Sequence, residues 1–263
     1  MPEEKANKAA AEAMVNAGVK INEKKENTTG ALFFISAKQA EQLADLILKG
    51  EKDKKVYKEA LKNAPSVDIA LFGRMVADDS TLNIDAASQV AHSISTHAVQ
   101  NEYDYFTAVD DCKISDDAGA GHLGTMEFNS STLYRYATVN VTDLLKIVGA
   151  ETAQAVRGFA EAMIRSMPTG KQNSYANKTL PDLVYVTVRT DQPVNLCGAF
   201  EKPIAGNEGY AEKSQKALFA HAEQVYADYC GTPAKSFVIG YDAILGAEKM
   251  NLNELLDAIE NLV

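Results

Sequence analysis

This sequence is short of cysteine, short of basic charge and without any long apolar run. Its three cysteines, Cys112, Cys197 and Cys230, are odd in number and scattered. No CxxC spacing joins them, which argues against a thiolate zinc site or a disulfide framework and for a reducing, cytoplasmic compartment. No segment approaches the roughly eighteen apolar residues of a membrane helix. The opening stretch MPEEKANKAAAEAM is charged and helical in character, so it does not read as a secretory signal. Lys and Arg number 26 against 36 Asp and Glu, a formal net charge of -10. Nucleic-acid binders usually carry an excess of Lys and Arg. Phosphate binding here therefore requires a local basic patch on an acidic body, because counterion release depends on the groups at the contact. P-loop and GxSxG signatures are missing, and the GxGxxG-spaced glycines of GAGHLG follow an Asp-rich loop rather than a strand, which argues against the commonest nucleotide-binding and nucleophile-elbow readings.

What is present is an ordinary globular composition, 46% apolar and 24% charged over 263 residues, enough for one or two domains. Residues 2–17 are Ala-rich and predict a helix stopped by Gly18. Residues 20–30 are charged and loop-like, and the run ALFFI at 31–35 predicts a short buried strand. Ser36 with Gln39 makes a capping box for a helix whose apolar face is Ala40, Leu43, Ala44 and Ile47. Gly50 ends it, and a more charged helix runs over 51–63 to the Ala64-Pro65 step.

The chain is organised around residues 67–141. VDIALF at 67–72 reads as a strand, and residues 87–99 as an extended, half-exposed one. Residues 133–141 alternate, with Leu133, Arg135, Ala137, Val139 and Val141 on one face. The insertion of roughly fifty residues between the flanking strands is too long for a turn and too patterned for a linker, so it predicts a projecting arm. Beyond it, residues 142–167 predict a helix broken near Gly149, with a stripe of Ala153, Val156, Ala160, Met163 and Met167. Residues 182–189 read as a strand, 209–230 as a helix, SFVIG as a strand, and NLNELLDAIENLV as a closing helix. Strands alternating with helices predict an α+β fold.

Few residues carry conventional chemistry. His92 and His97, five apart, share no face of a helix or a strand, and His122 is distant, so no chelate follows. The pairs Asp78-Asp79, Asp110-Asp111 and Asp116-Asp117 could gather Mg²⁺, although loop aspartates more often form turns. The glycines of GAGHLG follow an Asp-rich loop and suggest a backbone that can lie close to a ligand. Exposed-looking apolar residues stand out instead: Met75 after Arg74, Phe106 in YDYFTAVDD, and Leu123 among glycines. Each either tucks back onto the domain or wedges into stacked bases, the latter worth roughly 1–3 kcal/mol per base. PTGKQNSYA at 168–176 offers Lys171 as a phosphate cation and Gln172, Asn173 and Ser174 as neutral donors.

DIALFGRM, YDYFTAVDD, AGHLGTMEFNSSTLYRYATVNV, PTGKQNSYA and NLCGAFEKPI, in this order, resemble the CasC-type backbone subunit of the type I-E CRISPR Cascade surveillance complex. The resemblance implies a right-hand-like architecture. A helical fingers lobe would span 1–65, an RNA-recognition-fold-like (ferredoxin-like) palm 66–98 and 132–263, and a β-hairpin thumb 99–131. It implies a cytoplasmic subunit without catalytic role or cofactor. Copies would stack along a CRISPR RNA beside other Cascade subunits, displacing a base at regular intervals and leaving the rest to pair with target DNA. The RNA-binding residues it implies are Arg74, Met75, Phe106, His122, Leu123, Thr125, Lys171, Gln172, Asn173 and Ser174. The family's opening palm strand and basic RxSSQ-type segment have no counterpart in this sequence. Weaker RNA affinity and an exposed sheet edge are therefore expected. Two alternatives stay open: a metal-dependent RNA-cleaving subunit using Asp110, Asp111, Asp116 or Asp117, and a protein-interaction fragment without RNA affinity.

Overall fold

The computed structural model describes residues 2–22, 24–25, 28–108, 112, 122–206 and 208–263. In chain order its elements are α1 (Glu3–Asn16), α2 (Ala37–Leu48), α3 (Lys54–Lys62), α4 (Val67–Phe72), β1 (Ser88–Val90), β2 (Ile94–Ser95), β3 (Glu102–Ala108), β4 (His122–Phe128), β5 (Leu133–Tyr134), β6 (Ala137–Val139), α5 (Val141–Val148), α6 (Thr152–Arg165), α7 (Gln172–Tyr175), β7 (Val184–Val188), α8 (Ala211–Val225), β8 (Lys235–Ile239), β9 (Glu248–Lys249) and α9 (Leu252–Glu260). The architecture is mixed α+β with small sheets. The chain forms two compact units: Met1–Val90 with Ala137–Pro181 and Met250–Val263, and Ala91–Tyr136 with Asp182–Lys249.

In the first unit, local sequence sets the helix ends. Glu3 and Glu4 sit at the positive end of α1. The helix stops where Gly18 takes φ 99°, with Val19 N donating to Met14 O at 2.9 Å. The capping box of α2 forms in full: Gln39 N donates to Ser36 Oγ at 3.0 Å, and Ser36 N to Gln39 Oε1 at 3.1 Å. Ser36 Oγ also donates to Ala64 O at 2.8 Å, tying the start of α2 to the end of α3. Ser36→Ala removes both roles of a buried hydroxyl. It is expected to lower unfolding free energy by about 1–2 kcal/mol in urea titrations, and no change would show the cap to be redundant.

Around these helices α1, α2 and α3 pack Ala13, Ala17, Leu43, Tyr57, Ala60 and Leu61 with Val76 and Leu82. A second core joins α4, α5 and α6 through Ala70, Leu71, Ala87, Leu144 and Ala155. The short ladder β1–β6, antiparallel from Ser88↔Val139 to Val90↔Ala137, lies beside it. Arg157 of α6 holds Asp257 and Glu260 of α9 at 2.6 and 2.9 Å.

Several sequence expectations change. Residues 31–35 form no strand: Leu32 is 82% exposed and only Phe33 turns inward onto the helical core. No described strand lies beside the segment, so its backbone has nothing to ladder with. On α2 the inward residues are Leu43, Leu46 and Ile47, while Ala40 and Ala44 face solvent. VDIALF is helical, not extended. A six-residue apolar run reads alike as a buried strand or a buried helical turn. Here Asp68 sits in the first turn, and Gly73 takes φ 78° where a Cβ would lie 2.9 Å from Ile84 O. The break at Gly149 appears as expected, but the buried stripe of α6 runs through Thr152 and Ala155, with Val156 and Phe159 beside them.

The second unit holds the ladders β2–β5 and β3–β4 and a three-stranded sheet ordered β7–β8–β9. β7 pairs antiparallel with β8 from Val184↔Ile239 to Val188↔Lys235, and β8 runs parallel to β9. α8 buries Leu218, Phe219 and Ala222 against Leu196, Phe200 and Val238. No described helix is long and apolar enough to cross a membrane.

Candidate nucleic-acid interface

The expected arm is a two-stranded ladder of seven antiparallel pairs, from Glu102↔Phe128 to Ala108↔His122. GHLGTM is therefore strand rather than open loop from His122 onward. No strand residue of the hairpin is buried: each is exposed or at most half-covered. An isolated hairpin is marginal in water, so its root must be fixed. Thr96 N donates to Thr132 O at 2.9 Å, and Thr96, 2% exposed, meets Ser214 Oγ at 2.8 Å. His97 Nε2 accepts from Thr132 N at 3.1 Å, its ring stacks on Tyr210 at 3.7 Å, and Nδ1 faces Ala98 O at 2.9 Å. These partners assign the neutral tautomer with the proton on Nδ1. His97 is thus a clamp at the arm's base.

The register sorts the arm into two faces. Leu123 lies opposite Thr107 and Thr125 opposite Tyr105, with Tyr103 farther along the same face. Tyr103, Tyr105 and Leu123 are 66%, 68% and 57% exposed. Phe106 and His122 belong to the other face. Phe106 lies opposite Gly124, where a Cβ would stand 2.6 Å from Phe106 Cζ, so the missing side chain makes room for the ring. The Phe106 and His122 rings are 5.7 Å apart. The hairpin therefore splits the expected cluster: Leu123 and Thr125 look one way, Phe106 and His122 the other. Sequence reasoning missed Tyr103 and Tyr105, whose signal was the alternation in YDYFT.

Arg74 and Met75 are neighbours with opposite directions. Met75 is 82% exposed. Arg74 is 3% exposed and spends its guanidinium on Leu82 O at 3.0 and 3.1 Å, Leu61 O at 2.8 Å, Phe34 O at 3.3 Å and Gln39 Oε1 at 3.2 Å. Phe33 packs under it at 5.2 Å. Burial lowers its pKa from the ordinary value. Arg74, expected at the surface, is instead buried, with its guanidinium taken up by these carbonyls and Gln39.

The expected polar loop contains a helical turn, α7. Lys171 and Ala176 bracket it with φ 58° and 49°, conformations that cost non-glycine residues energy. Lys171, Asn173 and Ser174 are exposed and Gln172 is half-buried. A basic patch that sequence reasoning passed over lies at the start of α3. Lys49, Lys52, Lys54 and Lys55 are all exposed, and no described carboxylate lies within ion-pair range of them. The run KDKKVYK was its signal.

Metal chemistry finds no described cluster of three or more His, Cys, Asp or Glu. Asp78 is held by Lys20 at 3.1 Å, and Asp79 by Lys58 at 2.5 Å. Lys58 and Thr81 bring the Asp79 carboxyl down to about 2. Both carboxylates thus serve as partners of lysines. Asp110, Asp111, Asp116 and Asp117 lie outside the described residues.

Comparison with known proteins fits this arrangement. The chain matches, over 97% of its length and 77% of the other's, a chain of a structure described as "CRISPR RNA-guided surveillance complex, pre-nicking", with 30% identity and a TM-score of 0.83. A second, from a "CRISPR RNA-guided surveillance complex", is 34% identical over 74% of this chain and 78% of that one, with a TM-score of 0.68. No curated protein matches. The family model described as CT1975-like protein matches residues 1–263, and the chain belongs to that family.

Proposed function

We propose that this protein is a non-catalytic RNA-binding backbone subunit of a type I-E Cascade complex. In this reading it sits along a CRISPR RNA in the cytoplasm beside copies of itself and other subunits. Residues 99–131 act as a thumb that displaces a base at intervals, and the bases between stay free to pair with target DNA. Residues 1–65 act as fingers, and residues 66–98 and 132–263 as a palm of the RNA-recognition kind. The observation that carries the reading is the coreless β3–β4 hairpin. Apolar and aromatic side chains on an arm without a core are costly unless a partner covers them, and bases offer π faces whatever their sequence. Met75, the α7 turn and the lysines before and within α3 supply further contacts. The exposed Lys49, Lys52, Lys54, Lys55 and Lys171 would supply the phosphate contacts although the whole chain carries -10.

The test is fluorescence anisotropy of labelled single-stranded RNAs of increasing length, at low and moderate salt, without and then with Mg²⁺. Affinity rising with length and falling with salt, on RNA that stays intact, is the expected result. No binding at any length would overturn the RNA-binding reading and favour a protein-interaction role. RNA cleavage on adding Mg²⁺ would overturn the non-catalytic one.

A further inference from the structure

At the root of the arm a titratable ring has taken over a backbone bond. The β2–β5 ladder, Ile94↔Tyr134 and Ser95↔Leu133, runs on to Thr96 and Thr132. Thr96 N donates to Thr132 O at 2.9 Å. An antiparallel rung of this kind returns a second bond, from Thr132 N to Thr96 O. Here Thr96 O accepts from Ile204 N at 2.9 Å, and Thr132 N donates to His97 Nε2 at 3.1 Å instead. The imidazole therefore stands in for a carbonyl at the last rung before the arm. Its other contacts keep it there. Tyr210 stacks on the ring at 3.7 Å, and Nδ1–H donates to Ala98 O at 2.9 Å. Tyr210 is itself tied down, its carbonyl accepting from Ser214 Oγ at 2.7 Å.

A carbonyl accepts at every pH; an imidazole does not. The neutral ring accepts at Nε2, whereas the protonated ring carries N–H on both nitrogens and accepts at neither. Protonation would set Nε2–H against Thr132 N–H, two donors facing each other. The charged groups around the ring are engaged elsewhere. On α8, Glu212 pairs with Lys216 at 2.5 Å and Lys213 reaches Ala205 O at 3.3 Å. Glu201 and Lys202, ahead of Ile204, are exposed, and Tyr134 of β5 gives its hydroxyl to Asn195 at 3.0 Å. Tyr210 favours a cation on its face. That contact persists when Thr132 leaves, so it does not favour the closed arrangement. We propose that His97 is a proton-operated latch on the arm: neutral, it holds the returning strand at Thr132; protonated, it lets that strand go. The closed state needs the deprotonated ring, so the latch is shut above the ordinary histidine range and opens as pH falls through it. The Thr96–Thr132 bond and the Ser214–Thr96 contact remain, so the arm loosens without detaching. The latch concerns how the arm is held rather than what it binds, and it stands or falls apart from the RNA-binding reading.

The test is hydrogen exchange at single amides, followed by NMR on the full chain free of RNA, from about pH 8 to about pH 5.5. Rates are compared as protection factors, which removes the pH dependence of the exchange chemistry itself. Protection at Thr132 and along β3 and β4 should fall by about tenfold or more over this range, while β7 and β8 keep theirs. His97→Gln places a non-titrating acceptor near the position of Nε2, so it should flatten the response. His97→Phe keeps a ring on Tyr210 without an acceptor. At the upper pH it should already show the low protection that the unchanged protein reaches in acid. Equal protection of the arm at both ends of the range would overturn the proposal. So would a response that survives in folded His97→Gln or His97→Phe, which would belong to His92, His122 or His221. An equal loss in β7 and β8 would overturn it too, as a general loss of stability rather than a release of the arm.

Discussion

Leu123→Asp combined with Tyr105→Ala is expected to weaken single-stranded RNA binding by at least tenfold while leaving the fold intact. Leu123 and Tyr105 share one face of the hairpin, and both stand more than half exposed. Neither belongs to a described core cluster. Removing them leaves no cavity, so thermal unfolding should move little. A base stacked on an aromatic or apolar side chain gains roughly 1–3 kcal/mol, which converts to about 5- to 150-fold in affinity for each stacking side chain removed. The new carboxylate adds repulsion from neighbouring phosphates. The contrast is Phe106→Ala, on the opposite face over Gly124. If bases wedge against the Leu123 face alone, the double variant fails and Phe106→Ala binds nearly as well as the unchanged chain. Equal losses would mean that RNA passes both faces. Unchanged binding by the double variant, with native circular dichroism, would remove the hairpin from the RNA track and leave α3, Met75 and α7 as the interface.

Legibility in the sequence followed the range of the interactions involved. The Ser36–Gln39 box and the stop at Gly18 are set within a few residues, and both form as expected. The helix break at Gly149 and the strand within 182–189 were equally legible, because periodicity and glycine act locally. The misreadings fall where tertiary context decides. Val67–Phe72 is apolar throughout, and whether it coils or extends was settled by a close approach of Gly73 to Ile84 that local sequence does not announce. ALFFI has the composition of a strand, yet strands exist only in pairs, and no described partner reaches it. The glycines around Leu123 suggested a loop. In the ladder, Gly124 is instead the gap that admits Phe106 from the facing strand. The candidate site shows the same division. Residue type pointed correctly to exposed Met75 and Leu123, because large apolar side chains without local amphipathic partners stand out. It misplaced Arg74, because a cation after an apolar run looks the same in sequence whether it faces solvent or a ring of carbonyls.

That ring of carbonyls makes Arg74→Met the second large effect, and one on stability. The guanidinium serves Leu82 O twice, and also Leu61 O, Phe34 O and Gln39 Oε1. Gln39 Nε2 independently reaches Leu61 O at 2.7 Å, so that carbonyl keeps a partner. Leu82 is 1% exposed, and with the guanidinium gone its carbonyl loses both of these bonds in a place water does not reach. A buried acceptor without a donor costs roughly 1–3 kcal/mol, and the bonds to a charged donor are worth more than neutral ones. Methionine replaces part of the volume over Phe33 but none of the donors. Arg74→Met is therefore expected to lose about 3 kcal/mol, read as a lower urea midpoint with unchanged slope. Arg74→Lys should recover only a fraction, because one ammonium cannot span carbonyls that a planar fork reaches together. RNA affinity, measured where both variants stay folded, should change far less than in the hairpin variant. The opposite pattern, an unchanged midpoint with weakened binding, would return Arg74 to the role of a phosphate contact.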